Sequence, residues 1–275
     1  VYIIINKVKY IKMRIDYHTH TKLSGDNTQT IDELCLSAIE KEIEEICITE
    51  HIDFNPGDTC YGHFNWESHL KNIEYAKSKY NLSVKYGAEI DYQPQYYDNI
   101  KEIISSCDFD YIMGSAHYVD DVIVFNHDDY FINKDMFTAY NRYFETELEI
   151  IKTGFFDGVS HFDLIKRWGS RFYGSFQPEL FEGIITECLK EIIQRDMTLE
   201  INSSGIRQDP KEFYPHPYIV RLYKKLGGEN ITFGSDSHNK NQTGYNIDHI
   251  YKFLKEEGFK QLTTYSKRKK ICVEI

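Results

Sequence analysis

The chain has 275 residues with 41% hydrophobic and 27% charged content, enough to bury one substantial core and ordinary for a globular protein in water. A formal net charge of −11 lacks the Lys/Arg surplus that phosphate-backbone binding needs, so no nucleic-acid partner is expected, although a local basic pocket could still take a small anion. No apolar run reaches membrane-spanning length, and the six cysteines (Cys35, Cys47, Cys60, Cys107, Cys188, Cys272) form no Cys-x-x-Cys pair, so we expect no membrane partner and buried thiols of a cytoplasmic protein.

The chain opens on a short lysine-flanked apolar stretch, residues 1–12, without an Ala-x-Ala-like cleavage signal. We expect the native start at Met13, residues 1–12 as an extension, and residues 13–275 as one domain. The first strand, 14–18, runs into Asp16-Tyr17-His18-Thr19-His20. Alternate residues of an extended segment face the same way, so His18 and His20 project together. Asp26 follows six residues later in Ser24-Gly25-Asp26-Asn27, and Thr30 can cap a helix over 31–42.

The second strand, 46–49, leads into Thr49-Glu50-His51, and a helix is expected over 66–80. The third, 84–89, ends at Glu89, before a helix over 96–105. The fourth, 111–115, ends Gly114-Ser115-Ala116-His117, before a helix over 134–152. The fifth, 158–161, ends at His161, before a helix over 178–195. The sixth, 198–202, precedes a helix over 215–226. The seventh, 231–233, leads into Gly234-Ser235-Asp236-Ser237-His238, before a helix over 246–257. Gly227 and Gly258 stop two of these helices. Unbroken strand–helix alternation implies a parallel sheet, and seven or eight such units most often close into a barrel. The basic run Lys267-Arg268-Lys269-Lys270 reads as a solvated surface segment.

In a (β/α) barrel the C-terminal strand ends share one face. His18, His20, Asp26, His51, Glu89, His117, His161, Asp236 and His238 are therefore brought to one cleft. Nine donors are too many for one metal ion and suit two or three. Their nitrogen and oxygen chemistry fits Zn, Mn or Fe in an open, catalytic site. The other histidines (His63, His69, His127, His216, His249) fall in loops or helices and are not expected to be ligands.

These motifs resemble the PHP (polymerase and histidinol phosphatase) metallohydrolase family. Longer blocks, at residues 110–117, 156–167 and 199–207 followed by Tyr214-Pro215, resemble its monofunctional histidinol-phosphate phosphatases. The resemblance covers Met13 to the C-terminus and implies an α/β fold, a distorted (β/α)7 TIM-like barrel of one domain, with three divalent metal ions. By position, His18, His20, Glu89 and Asp236 would hold the first. Glu89 would bridge to a second, completed by His117 and His161. Asp26, His51 and His238 would hold the third. The family places His or Asp at the position of Asp26, and the Ser-Gly-Asp order here departs from its commoner Ser-Asp-Gly.

The implied reaction is hydrolysis of L-histidinol phosphate in histidine biosynthesis, with hydroxide bridging the first two metals under Glu89 as the nucleophile. Arg167 and Arg207 are expected to clamp the phosphate, with Arg171 a weaker candidate. Asp236 or His238 could protonate the leaving alkoxide. Asp53, Asn202, Tyr61, Phe64 and Trp168 are candidates for reading the rest of the substrate. Two rival readings remain: another PHP-type phosphoesterase acting on phosphotyrosine or a nucleotide, and a non-catalytic metal-stabilised module.

Overall fold

The computed structural model describes residues 13–275, so the extension expected at residues 1–12 lies outside the described residues. Seven strands form one parallel sheet in sequential order: β1 (Ile15–Thr19), β2 (Glu45–Ile52), β3 (Ser83–Asp91), β4 (Tyr111–Ser115), β5 (Gly158–Val159), β6 (Thr198–Asn202) and β7 (Ile231–Gly234). Most of their residues are buried on both faces, the polar ones included (Asp16, His18, Glu50, Glu89 and Glu200), because helices cover the outside of the sheet. Past its last residue β7 returns to β1. Asp236 N–H donates to the His18 carbonyl at 2.8 Å and His20 N–H to the Ser237 carbonyl at 2.9 Å, so the sheet nearly closes into a barrel.

Helices cover the barrel: α1 (Ile31–Glu40), α2 (Trp66–Lys79), α3 (Tyr97–Ser106), α4 (Met136–Thr153), α5 (Lys166–Tyr173), α6 (Glu182–Gln194), α7 (Pro217–Lys225) and α8 (Ile247–Glu256). Thr30 caps α1 as expected, in a reciprocal arrangement: its hydroxyl accepts from Glu33 N–H while its own N–H donates to the Glu33 carboxylate. Gly227 and Gly258 follow α7 and α8 at φ 95° and 85°.

Several boundaries differ from expectation. The fifth strand spans two residues rather than four, so His161 sits in the turn after it. The segment 178–195 opens as a 3-10 turn, Pro178–Phe181, before α6 begins. Helix α5 was not expected because Lys-Arg-Trp-Gly-Ser-Arg-Phe-Tyr is short and mostly polar, with a glycine at its centre. Its Gly169 is there for contact: a Cβ would meet the Tyr140 hydroxyl at 2.6 Å.

The largest correction lies at the C-terminus. Residues 267–270 are solvated only in part: Lys267 and Lys269 are exposed, whereas Arg268 and Lys270 are half-buried and paired with Asp157 and Asp196. Lys267 and Arg268 make the turn of a hairpin, β8 (Gln261–Ser266) and β9 (Lys269–Glu274), that packs against the N-terminal end of the barrel. Both turn residues have positive φ, 50° and 61°. Arg268 Nε donates to both Asp157 oxygens at 3.1 and 3.0 Å, and Lys267 N–H donates to Asp110 Oδ1 at 2.8 Å. Tyr265 stacks near Tyr111 (4.7 Å between centroids) and donates its N–H to the Tyr17 hydroxyl, sealing that end with aromatic rings.

Candidate metal centre

At the opposite, C-terminal end the strand termini surround a cavity of about 660 Å³ lined by Asp26, His51, Glu89, His117, His161, Asp236 and His238. His18 and His20 are fully buried behind Glu89 and Asp236. All nine expected donors thus meet in one place. A larger groove of about 1570 Å³, bordered by Trp66, Lys85 and Arg268 at the other end of the barrel, contains none of them.

Glu89, at the end of β3, is the hub. Its Oε2 lies 3.0 Å from His18 Nε2, 3.5 Å from His20 Nε2 and 3.1 Å from His51 Nδ1. Its Oε1 lies 2.8 Å from His161 Nε2 and 3.5 Å from His117 Nε2. Asp236 Oδ1 stands 3.5 Å from His20 Nε2 and 3.7 Å from His18 Nε2. Asp26 Oδ2 faces His238 Nε2 at 2.8 Å and His51 Nε2 at 3.6 Å. His18, His20 and Glu89 form one tight group of donors, Glu89, His117 and His161 a second, and His20, His51 and His238 a third.

The donor chemistry fits cations. Ser24 Oγ donates to Glu50 Oε2 at 2.6 Å, so it accepts from His20 Nδ1 at 3.0 Å. That fixes the His20 tautomer and leaves Nε2 with a lone pair, buried and without a hydrogen-bond partner, facing oxygens of Glu89 and Asp236. A lone pair against two carboxylates is repulsive until a cation lies between them. His117 Nε2 and His161 Nε2 confront each other in the same way at 3.4 Å. Carboxylate and imidazole groups packed this closely, with no thiolate among them, suit divalent Zn, Mn or Fe.

Electrostatics agree. Burial opposes charge on His18, yet Glu200, Glu89 and Asp236 outweigh it and hold the imidazole well above its ordinary range. Burial likewise works against the charge of Glu89, but His18 and His51 hold its carboxyl well below the usual range. His20 goes the other way, pushed down to about 3 by burial and by His51 and His238. A cation entering the cluster displaces protons from imidazoles that are otherwise held charged.

A supporting set that sequence reasoning missed stands behind the donors. Glu200 Oε1 pairs with His18 Nδ1 at 2.7 Å and its Oε2 accepts from His161 N–H at 2.6 Å. Such carboxylates orient a ligating imidazole and raise its basicity. Gly234 makes room for it, since a Cβ there would collide with Glu200 and approach His18 Cβ to 2.6 Å. Asp236 adopts φ 53°, a left-handed conformation that Asp tolerates, as the chain turns past β7.

Arg167 and Arg207 both border the cavity. Arg207 donates to the carbonyls of Ser235 at 2.8 Å and Asp236 at 2.6 Å, engaging two of its five N–H groups. Arg171 instead stacks on Trp168 and pairs with Asp209, away from the cavity. Of the residues expected to read the substrate, Asp53 lines the cavity, whereas Tyr61, Phe64 and Trp168 do not. Asn202 is buried and hydrogen-bonded to Glu200. His127 borders the cavity, and His69 is buried among Phe64, Trp66 and Tyr86.

A family model described as "PHP domain" matches residues 16–204. The chain is 28% identical to the histidinol-phosphatase of Lactococcus lactis subsp. lactis over 92% of this chain and 94% of that protein. It is 31% identical to a "Probable histidinol-phosphatase" of Clostridium acetobutylicum, over 90% of this chain and 95% of that one. The crystal structure of a histidinol phosphate phosphatase from Lactococcus lactis, complexed with Zn, L-histidinol and phosphate, superposes with a TM-score of 0.86 at 28% identity, covering 94% of this chain and 99% of the other.

Proposed function

The chain belongs to the PHP domain family, and on that premise we propose that it hydrolyses L-histidinol phosphate to L-histidinol and inorganic phosphate. The observation that carries this reading is the likeness along the whole chain to a phosphatase whose structure holds Zn, L-histidinol and phosphate. His18, His20, Glu89 and Asp236 are assigned to one divalent ion, Glu89, His117 and His161 to a second, and Asp26, His51 and His238 to a third, each Zn, Mn or Fe. When bound, such ions supply Lewis acidity toward phosphoryl oxygens and lower the pKa of water.

The chain's own groups supply the rest. Arg167 and Arg207 bind the phosphate, and the two carbonyls that hold Arg207 fix the direction of its remaining N–H groups. Glu200 and the Ser24–Glu50 pair hold His18 and His20 in the tautomers that present Nε2. Asp236 and His238, both on the cavity wall, are assigned proton delivery to the leaving alkoxide. The substrate is small and phosphorylated, and we place the reaction in the cytoplasm.

Metal-replete protein should release phosphate and L-histidinol from L-histidinol phosphate at least about a hundredfold more efficiently, by kcat/KM, than it cleaves AMP or a phosphotyrosyl peptide, a discrimination within reach of a site that pairs polar groups specifically. A phosphotyrosyl peptide turned over faster than L-histidinol phosphate would reverse the assignment.

A further inference from the structure

A buried ion cluster joins the two segments that carry Arg167 and Arg207, and the metal and phosphate assignments leave it unused. Lys166 opens α5 and is only 1% exposed, although the next residue, Arg167, borders the cavity. Its Nζ lies 3.0 Å from Asp163 Oδ2 and 3.2 Å from Glu212 Oε1 and donates to the Phe213 carbonyl at 2.9 Å, so its three N–H groups are all engaged. Asp163 is fully buried, and its Oδ2 also accepts from His216 N–H at 2.8 Å. The cluster therefore ties the segment after β5 to residues 212–216. Both are tightly turned. Leu164 N–H donates to the His161 carbonyl, Lys166 N–H to Asp163 and Arg167 N–H to Leu164, at 2.8, 3.1 and 2.8 Å. On the other segment Tyr214 exchanges two backbone hydrogen bonds with Asn202, and its hydroxyl donates at 2.7 Å to Gln208, the neighbour of Arg207.

Stability alone accounts poorly for such a cluster. Desolvating two charges is unfavourable, and their attraction offsets it only when the remaining polar atoms are also satisfied. Here Asp163 Oδ1 is buried without a hydrogen-bond partner. The place of the cluster points to another role. Burial chiefly, and the charge of Arg167 in addition, push the Arg207 pKa below its ordinary value. Two guanidinium groups close enough to interact repel until an anion lies between them, so the segments that carry them must be held together by other contacts. Arg207 is held by the carbonyls of Ser235 and Asp236. Among the described residues the Arg167 guanidinium has no ion-pair partner and lies 5.1 Å from the centre of the Phe125 ring, so its placement depends on the backbone that Lys166 anchors. We propose that Asp163, Lys166 and Glu212 are positioning residues that hold Arg167 at the spacing from Arg207 that a phosphate group needs; this rests on the assignment of both arginines to phosphate.

The test is a double-mutant cycle on metal-replete protein, read as the inhibition constant of inorganic phosphate against cleavage of L-histidinol phosphate or p-nitrophenyl phosphate. Arg167→Ala should raise that constant at least ~10-fold, the scale of a buried charge-assisted contact. Asp163→Asn combined with Lys166→Met removes both buried charges together and keeps an acceptor for His216 N–H, so neither charge is left buried alone. The pair should raise the constant by a similar factor with bound metal unchanged. Adding Arg167→Ala to it should raise the constant by less than about threefold more, because residues that act through one another are not additive. Glu212→Gln, at the half-buried end of the cluster, should give a smaller rise coupled to Arg167 in the same way, and it supplies the readout if the paired variant does not fold. Additive effects, or a phosphate constant equal to wild type in these variants, overturn the proposal while leaving the phosphatase reading intact. A loss of bound metal that accounts for the whole rise also overturns it, in favour of a role in holding His161. An Arg167→Ala protein with the wild-type phosphate constant refutes the phosphate assignment of Arg167 itself, and this proposal falls with it.

Discussion

A carboxylate behind a ligating imidazole fixes its tautomer and strengthens its lone pair, and Glu200 occupies that place behind His18 while also accepting from the His161 backbone. Glu200→Gln keeps the shape but removes the charge. It should weaken metal binding roughly 10–100-fold, read by competition with a chromogenic chelator; unchanged affinity would remove Glu200 from the centre. A second residue with a measurable signature is His69, whose ring nitrogens are buried without hydrogen-bond partners and whose pKa burial pushes down to about 3. Well above pH 6.5 the imidazole is neutral in both folded and unfolded chains and contributes nothing to the pH dependence. As pH falls, the unfolded chain takes up this proton first, so stability drops by about 2 kcal/mol by pH 5. His69→Leu should remove that part of the slope in urea titrations at pH 7 and pH 5, and an identical slope would refute it. At this scale eight of the nine donors were legible because they close or follow a strand-like run, and Asp26, in the loop Ser24-Gly25-Asp26-Asn27, was legible from the resemblance. Glu200 was not: in Leu199-Glu200-Ile201-Asn202 nothing in the spacing says that this carboxylate turns inward onto His18. Tyr61 and Phe64 fall outside the cavity because loop conformation leaves no periodic trace, and Trp168 because it belongs to the unexpected helix α5.

The elements were read best where local chemistry dictates them. Thr30 with Glu33, and the glycines after α7 and α8, mark helix ends by hydrogen bonding and left-handed backbone alone. The C-terminal hairpin escaped because its turn, Lys267-Arg268, lacks the Asn-Gly or Gly-x pair that announces a tight hairpin. It forms regardless because tertiary contacts hold it, chiefly Arg268 across both oxygens of Asp157. Arg268→Ala should therefore lower unfolding free energy by about 2 kcal/mol, the scale of a charge-assisted hydrogen-bond pair. Its kcat/KM should stay within about twofold of wild type, because the hairpin closes the end of the barrel away from the donors. A denaturation midpoint equal to wild type would show that the Arg268–Asp157 contact contributes nothing to stability.

At the scale of the whole molecule, the barrel was legible from the alternation of seven strands and helices. Its near-closure followed from the usual behaviour of seven such units, but the contacts that achieve it were not legible: they are backbone pairings between β1 and the segment after β7, Asp236 with His18 and His20 with Ser237. Those same contacts bring the first and last ligand motifs side by side, so closing the barrel and assembling the centre are one event. Under the proposed assignment, cations held by donors from β1, β3 and the loop after β7 would tie these elements together, and ligands that bind only the folded state raise stability. Stripping the metal should accordingly lower the thermal midpoint, and restoring it should bring the midpoint back.

The most direct test of the central claim is phosphate release from L-histidinol phosphate by chelator-stripped protein titrated with Zn, Mn or Fe(II) in anaerobic buffer. The assignment predicts negligible release at the outset and a rise to a plateau at about three equivalents per chain. Full activity in the stripped protein, or no activity at any metal loading, would contradict it.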